Sequence, residues 1–163
     1  MHRRGFAVAG TMALVLAGAT VSQAAASKHH VSQTVKLVTV SLNGNYPNPG
    51  SSSVDAGLIS GSLGRGAVSQ VVRITGHPAA TTYTFKSTST AFYAHGTITS
   101  VITGTATLQA NGSAKLAGLG RYKGGTDAFR GARGSFRIAG TIPPASPNKP
   151  TPAVIHASGT ISY

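Results

Sequence analysis

The segment 97–108, TITSVITGTATL, alternates strictly between two kinds of residue, which leaves little freedom in how it folds. Its even positions are mostly apolar, and its odd positions are threonine except for Val101. Alternate side chains of a strand point to opposite faces, so this pattern is typical of an antiparallel strand with one buried face. We predict one strand or a pair of strands here, with Gly104 at a bulge or a sharp bend of the kind that barrels need.

Similar segments recur along the chain and predict an all-β fold. They are short and rich in β-branched or aromatic residues, and they cover residues 34–42, 66–75, 81–86, 113–120, 135–142 and 154–163. Asn111-Gly112 is a strong hairpin-turn signal, and residues 43–53 and 143–152 are polar, proline-containing loops. About eight strands fit a sandwich or a barrel. Because closure removes the exposed edges of a sheet, we predict an eight-stranded antiparallel β-barrel.

The first 26 residues have the layout of a secretory signal peptide. Arg3 and Arg4 supply positive charge, residues 6–21 form a nearly uncharged apolar run, and small residues at 24–26 offer cleavage sites. A membrane anchor is the alternative, but the run is short for a spanning helix, which needs about 20 residues. The arginine pair also resembles a twin-arginine export signal with poorly matching flanks. We predict cleavage, a secreted extracellular protein and, from the style of the signal, a bacterial source.

The mature chain is expected to contain a flexible segment, residues 27–33, followed by a single barrel domain, residues 34–163. The chain has 14 Lys and Arg residues against two acids, a formal net charge of +12. Removing Arg3 and Arg4 lowers that charge by two, to +10. The absence of cysteine excludes disulfides, thiol catalysis and cysteine-ligated metals, so stability must come from the core and the sheet.

Residues 124–140, GGTDAFRGARGSFRIAG, form a glycine-rich signature. It resembles the signature near the end of plant dirigent proteins and of the allene oxide cyclase barrel superfamily. The positions that match are Gly124, Gly125, Thr126, Phe129, Gly131, Ala132, Arg133 and Gly134. Asp127 stands where that pattern has glycine. Residues 62–67 and 95–106 resemble the family's glycine-arginine turn and its strand with repeated Gly-Thr.

The resemblance implies an allene oxide cyclase-like, calycin-like barrel with a central cavity, a secreted protein, and oligomers of the kind that plant members often form. Glycine allows positive φ and close backbone approach, so we interpret the signature first as a structural device at a corner between strands. Phe129 and Phe136 are expected to pack over its glycines.

The resemblance also implies that plant enzymes of this family use acidic and polar residues in the barrel. This chain has only Asp55, which we place in or beside a loop, and Asp127, which lies in the glycine-rich turn. Two carboxyl groups for acid–base catalysis are available only if these residues meet in space. The family's catalytic residues do not map onto this sequence. We therefore predict no catalytic residue, no metal site and no cofactor.

Four residues are candidate ligand contacts inside the barrel, namely Tyr83, Phe85, His95 and His156. Tyr83 and Phe85 share one face of a predicted strand, and the two histidines fall in or beside strands. A histidine in a strand is more often structural, although it can act as a general base. The histidine pair at residues 29–30 is interpreted as part of a solvated tail, with a metal site as the alternative.

A basic cluster interleaved with aromatic residues overlaps the signature, and its cations are Arg121, Lys123, Arg130, Arg133 and Arg137. Such a cluster either binds a polyanion, such as an anionic cell-surface polymer, or serves only as a solubilising surface. Export argues against nucleic acid as the partner, and no membrane span is expected after signal cleavage.

Three functions remain open from the sequence. The first is a secreted, non-enzymatic barrel that binds a small apolar or phenolic ligand or acts as an extracellular structural module. The second, which rests on the resemblance alone, is an isomerase, a cyclase-like enzyme or a dirigent-like guide of radical coupling. The third is a basic binder of cell-surface polyanions.

Overall fold

The computed structural model describes residues 27–45, 47–144 and 152–163. A 3-10 helix, Asp127–Phe129, lies between the sixth and seventh strands. The strands are β1 (Lys28–Asn43), β2 (Ser52–Gly61), β3 (Gly64–Ala79), β4 (Thr82–Tyr93), β5 (Gly96–Leu108), β6 (Ala114–Gly125), β7 (Arg133–Ile142) and β8 (Ala153–Ser162).

The eight strands form a closed antiparallel barrel in which each strand pairs with the next along the chain. The barrel closes where Lys28–Leu37 of β1 pairs with Ala153–Ser162 of β8. This confirms the predicted fold. Closure gives every strand a hydrogen-bonded neighbour on both sides, so the sheet has no edge strand.

The alternation in the sequence defines the inside of the barrel. In β5, Ile98 and Ile102 are buried, while Thr103 on the opposite face is exposed. In β3, Val68 and Ile74 are buried, and Gln70 lies on the same inner face. The larger apolar residues of the core are Val31, Leu37, Ile59, Val68, Ile74, Phe85, Ile98, Ile102, Leu116, Tyr122, Phe129, Phe136, Ile138, Ile155 and Ile161.

The segment 97–108 is one strand rather than a pair, and Gly104 is not at a bulge. The register of β5 against β6 shifts between Thr99 and Ser100 instead. Gly104 pairs regularly with Phe85 of β4. A Cβ atom at Gly104 would lie 2.9 Å from the Phe85 ring, so the glycine makes room for an aromatic side chain inside the barrel.

The β2 strand is absent from the sequence-based prediction, which left residues 52–61 without a strand. Its outward face carries Val54 and Leu58, and Leu58 is 68% exposed. Its inward face carries Ser53 and Asp55. Strands usually carry apolar residues on the inner face and polar residues on the outer face, and this pattern is inverted over half of β2. The hydrophobic periodicity of the sequence therefore does not indicate a strand here.

The prediction of a flexible segment at residues 27–33 is also wrong, because β1 begins at Lys28. Val31 is fully buried and pairs with Gly159 of β8. The segment has only one apolar residue on its inward face, so its sequence resembles a polar tail although it completes the barrel.

The predicted hairpin turn at Asn111-Gly112 is present between β5 and β6. Gly112 has a φ of +80°, which glycine adopts without strain. The side-chain oxygen of Asn111 accepts hydrogen bonds from the Ser113 amide at 3.0 Å and the Ser113 hydroxyl at 2.7 Å. The turn is therefore held by its own side chains.

Two sequence-based predictions fall outside the described residues. They are the signal peptide, residues 1–26, and residues 145–151 of the proline-rich loop. Within the described ranges, no helix has the length and apolar character needed to cross a membrane.

Replacement of Gly120 by alanine should destabilise the barrel, because the new Cβ atom would overlap the ring of Phe136. Overpacking around a core side chain typically costs about 1–3 kcal/mol. Gly76→Ala is the matched control, since its Cβ would approach only the rotatable hydroxyl of Thr84. Urea unfolding should show a clearly lower midpoint for Gly120→Ala than for Gly76→Ala. Equal midpoints would contradict this description of the core.

Candidate ligand-binding site in the barrel interior

The barrel encloses a cavity in which the centres of water-sized molecules have about 180 Å³ of space. Side chains from all eight strands line it. At one end it reaches Thr39, Ile142 and Ala153, and at the other it reaches Tyr93 and Ile98. One bound water needs only about 10–15 Å³ on the same kind of measure, so this cavity has room for a small organic molecule.

One row of inward-facing residues crosses five neighbouring strands and carries mostly polar groups. It consists of directly paired residues, one per strand from β2 to β6, namely Asp55, Gln70, Ser89, Ser100 and Tyr122. We call this set the polar row. All five residues line the cavity.

Hydrogen bonds fix the orientation of most side chains in the polar row. Gln70 Nε2 donates to Asp55 Oδ2 at 2.9 Å. Ser87, two residues before Ser89 on the same face of β4, donates from its hydroxyl to Gln70 Oε1 at 3.2 Å. The Ser89 and Ser100 hydroxyls are 2.7 Å apart. The amide of Gln70 is therefore held on both sides, and its donor is directed at a single oxygen of Asp55.

Three buried polar atoms have no hydrogen-bond partner among the described residues. They are Asp55 Oδ1 and both side-chain amide atoms of Gln33. Gln33 is 4% exposed and Asp55 is 8% exposed, and both line the cavity. A buried polar atom without a partner costs about 1–3 kcal/mol. Groups of this kind are therefore the natural hydrogen-bonding points for a molecule inside the cavity.

The wall opposite Asp55 is apolar and aromatic. It is formed mainly by β6, β7 and β8, with Leu116, Phe136, Ile138 and Ile155 facing the cavity. The rings of Tyr122 and Phe136 are 4.7 Å apart and tilted by 38°, an ordinary geometry for packed aromatic side chains. The cavity thus combines a polar row on one side with an apolar wall on the other.

Two tyrosines of the cavity have raised pKa values. Burial raises the pKa of Tyr93 to about 12. Burial also raises the pKa of Tyr122 well above its usual value, with a smaller contribution from the nearby Tyr93. Desolvation disfavours the anionic phenolate, so both hydroxyls stay protonated at neutral pH and can donate hydrogen bonds into the cavity.

The glycine-rich signature closes one end of the barrel. Phe129 of the 3-10 helix is buried, and its ring lies 5.4 Å from Tyr93 and 5.1 Å from Tyr163. Asp127 has a φ of +50°, a left-handed conformation that aspartate tolerates better than most residues. This explains why aspartate stands where the resembling pattern has glycine.

Other residues of the signature shape the same corner between β6 and β7. Gly131 and Gly134 have φ values of +78° and +137°. Ala132 is fully buried. The Thr126 hydroxyl donates to Asp127 Oδ2 at 3.0 Å and accepts from the Thr97 amide at 3.0 Å. Gly124 and Gly125 end β6 and lead into this corner. These contacts agree with the interpretation of the signature as a structural device.

The four candidate ligand contacts occupy different places. Phe85 is buried and lines the cavity. Tyr83 lies on the same face of β4 but is only partly buried, and its ring stacks on His77 at 4.3 Å. Tyr83 therefore lies at the edge of the interior and does not line the cavity.

The expected interior position of the two histidines is wrong. His95 is exposed in the turn between β4 and β5, where its carbonyl accepts from the Ala128 amide at 3.1 Å. His156 is exposed on the outer face of β8 and hydrogen-bonds Thr34 at 3.2 Å. Its neighbours in β8, Ile155 and Ala157, take the inward positions. Strand alternation therefore excludes His156 from the cavity.

Asp55 is the functional candidate that sequence reasoning missed. It lies within β2 and faces the cavity, rather than lying in or beside a loop. A usable signal was its spacing of four from Ile59, which puts both residues on one face of a strand. Asp127, by contrast, is exposed on the 3-10 helix. The two acids therefore do not form a catalytic pair.

All five cations of the predicted basic cluster are exposed. Arg121 and Lys123 lie on β6, Arg133 and Arg137 lie on β7, and Arg130 follows the 3-10 helix. The guanidinium of Arg133 donates to the carbonyl oxygen of Lys123 at 2.9 Å. It also donates to its neighbour's carbonyl at 2.7 Å, so this side chain is anchored.

The histidine pair at residues 29–30 lies at the start of β1, and the ring of His29 stacks on Tyr163 at 5.1 Å. Among the residues that the structure describes, no three His, Asp or Glu side chains come together as a metal site.

The closed eight-stranded barrel with an internal cavity is a dirigent-like fold. The chain is similar in structure to the pterocarpan synthase dirigent protein GePTS1, with a TM-score of 0.54, 12% identity, and coverage of 84% of this chain and 85% of that one. It is likewise similar to the pterocarpan synthase dirigent protein PsPTS1, with a TM-score of 0.53, 13% identity, and coverage of 84% and 96%. No protein-family model and no curated protein sequence match the chain. The likeness is therefore one of fold.

Tyr122, which is buried, and Tyr93, which is partly buried, make the free energy of unfolding depend on pH in the alkaline range. The unfolded chain ionises tyrosine near pH 10.0, whereas folded Tyr93 ionises near 12. Unfolding therefore releases protons between these values, and the free energy of unfolding should fall as pH rises from about 10 to 12. Below pH 10 this contribution should be fully present.

Tyrosinate absorbance of the folded protein tests this dependence. Tyr93→Phe should remove an ionisation near pH 12 and leave the earlier ones in place. Tyr122→Phe should also remove a late ionisation. Loss of an ionisation near pH 10 in either variant would show that the substituted phenol is not buried as described.

Proposed function

We propose that this barrel is an exported protein that binds a small, largely apolar molecule carrying one hydroxyl group, such as a phenol. The observation that carries the proposal is the unpartnered oxygen of Asp55 in a cavity with an apolar wall. Ligand pockets of this type are mostly apolar, with a few fixed polar groups that set orientation.

The geometry of the polar row favours one orientation of the ligand. Gln70 occupies Asp55 Oδ2, which leaves Oδ1 as the acceptor for a ligand hydroxyl. Because Ser87 in turn holds the Gln70 amide, the acceptor is oriented before a ligand arrives. Preorganisation of this kind lowers the entropic cost of binding.

Other side chains that line the cavity offer further contacts to the ligand. The unpartnered amide of Gln33 offers both a donor and an acceptor for a second polar group. The protonated hydroxyl of Tyr122, at the other end of the polar row from Asp55, offers a donor. Ile138 and Phe136 supply the apolar surface. Their burial against a ligand ring contributes about 25 cal/mol per Å² of apolar area.

Binding without catalysis is the function that the site supports best, because the second acid of the chain lies outside the barrel. A second candidate is an isomerase-like or cyclase-like activity with Asp55 as a single base. The observation that favours it is the position of this carboxyl group within the cavity. Turnover that disappears in Asp55→Asn, while the compound still binds, would favour this candidate over simple binding.

Export is part of the proposal and rests on the first 26 residues, with their basic start, apolar run and small residues before the cleavage point. An extracellular, cysteine-free barrel is a suitable carrier for a poorly soluble compound, since its stability does not depend on redox conditions.

The proposal predicts that the protein discriminates between para-propylphenol and its methyl ether. The two compounds have nearly the same apolar surface, but only the phenol can donate a hydrogen bond to Asp55. Calorimetry in high salt, which screens interactions with the basic outer surface, should give about tenfold tighter binding of the phenol. The net free energy of one hydrogen bond corresponds to about a tenfold difference in affinity.

Asp55→Asn should reduce this preference to within about threefold, because it weakens the acceptor. Asp127→Asn is the matched control, since it removes the same charge from an exposed residue that keeps its left-handed backbone. It should leave the preference unchanged. Equal binding of phenol and ether to the original protein, or equal effects of both substitutions, would overturn the proposal.

A further inference from the structure

The outer surface of the barrel carries charge of almost one sign. Of the 14 Lys and Arg residues, Arg3, Arg4 and Lys149 lie outside the described residues, and each of the other eleven is exposed. Of the two acids, Asp55 is buried inside the barrel, so Asp127 alone adds negative charge to the described outer surface. The cations are therefore left almost without compensating acidic side chains.

Several of these cations fall in one line around the barrel. A row of directly paired, outward-facing residues crosses β3 to β7, and its members are Arg73, Lys86, Thr103, Leu119 and Arg137. We call the three cations of this row the basic band. Four steps between neighbouring strands span about 19 Å. In an eight-stranded barrel they cover half of the circumference.

The basic band includes a direct pair of like charges. Arg73 and Lys86 are cross-strand partners, and like charges placed opposite each other in a sheet are destabilising. Arg121 lies on the same outer face of β6, two residues from Leu119 of the row, and adds a further positive charge. An anion bound along the band would remove this repulsion.

A shallow depression lies beside the basic band on the outside of β5 to β8. Ala117 and Ala139 are among its small residues, and Leu119, Arg137 and His156 project around it. The side chains there leave space on the barrel wall that a narrow chain can enter, next to a guanidinium group. Guanidinium groups bind phosphate and carboxylate oxygens through paired hydrogen bonds.

We propose that the basic band binds a flexible linear polyanion, a polymer whose repeating units carry phosphate or carboxylate groups. A flexible chain can follow the band around the convex wall and reach all three cations. A flat membrane meets a convex barrel only along a narrow strip. A DNA duplex is stiff over about 150 base pairs and cannot follow this curvature at low cost. This surface lies outside the barrel and is independent of the internal cavity.

Fluorescence anisotropy with labelled linear polyphosphate tests the proposal on the intact protein. We expect binding that weakens steeply between about 50 and 200 mM salt, as for other polyanions. The band variant, Arg73→Gln with Lys86→Gln and Arg137→Gln, should bind at least about tenfold more weakly. All three positions are exposed, so the variant should keep the fold.

The matched control removes three exposed cations that lie off the band, by combining Lys28→Gln, Lys36→Gln and Arg65→Gln. Its net charge equals that of the band variant, and its affinity should fall by less than about threefold. Polyglutamate should compete for the same site, which would support a shared oxyanion chemistry.

Three results would overturn the proposal. The first is equal loss of affinity in the two triple variants, which would show that only net charge matters. The second is equally tight binding of a short DNA duplex, which would show that the partner does not wrap around the barrel. The third is binding to vesicles of anionic phospholipid with no binding to polyphosphate, which would assign the surface to membranes.

Discussion

The pairing of β1 with β8 is the interaction on which the rest of this structure depends. It joins the first strand to the last through a ladder that runs from Lys28 to Leu37. Without it, the chain would form an open sheet with two free edges and no enclosed space. With no cysteine in the sequence, no disulfide can substitute for this ladder. The cavity, the polar row and the curved basic surface all follow from closure.

Closure also explains where glycine and aromatic residues occur. An eight-stranded barrel has an interior that side chains can nearly fill. A Cβ atom at Gly120 would overlap the Phe136 ring, and one at Gly159 would meet the backbone and the Cβ atom of Phe136, so both glycines make room for this one large residue. The opposite wall carries small polar side chains, such as Ser89 and Ser100, and leaves room beside them. The cavity results from this unequal filling.

The same closure separates the charges of the molecule into two regions. Asp55 is held inside, where Gln70 supports it, and the cations project outwards. The interior is suited to a small molecule with a hydroxyl group, and the exterior to an extended anion. We infer that the two surfaces can act independently, because the barrel wall lies between them.

Much of the fold could be predicted from local patterns, because strand alternation and turn chemistry are local. The segment 97–108 and the Asn111-Gly112 turn were both predictable in this way. The β2 strand was not, because exposed Leu58 and buried Asp55 invert the usual pattern. The candidate site was even harder to predict from the sequence than the β2 strand. The contact between Asp55 and Gln70 depends on the register of β2 against β3, which no local pattern in the sequence specifies.

The position of a bound phenol would test the central claim most directly. We would soak crystals of the protein with para-iodophenol and locate the iodine by its anomalous scattering. The account predicts one site inside the barrel, with the phenol oxygen within about 2.5–3.0 Å of Asp55 Oδ1 and the iodine against the wall formed by Phe136 and Ile138. Iodine found only on the outer face, or no bound phenol at all, would contradict it.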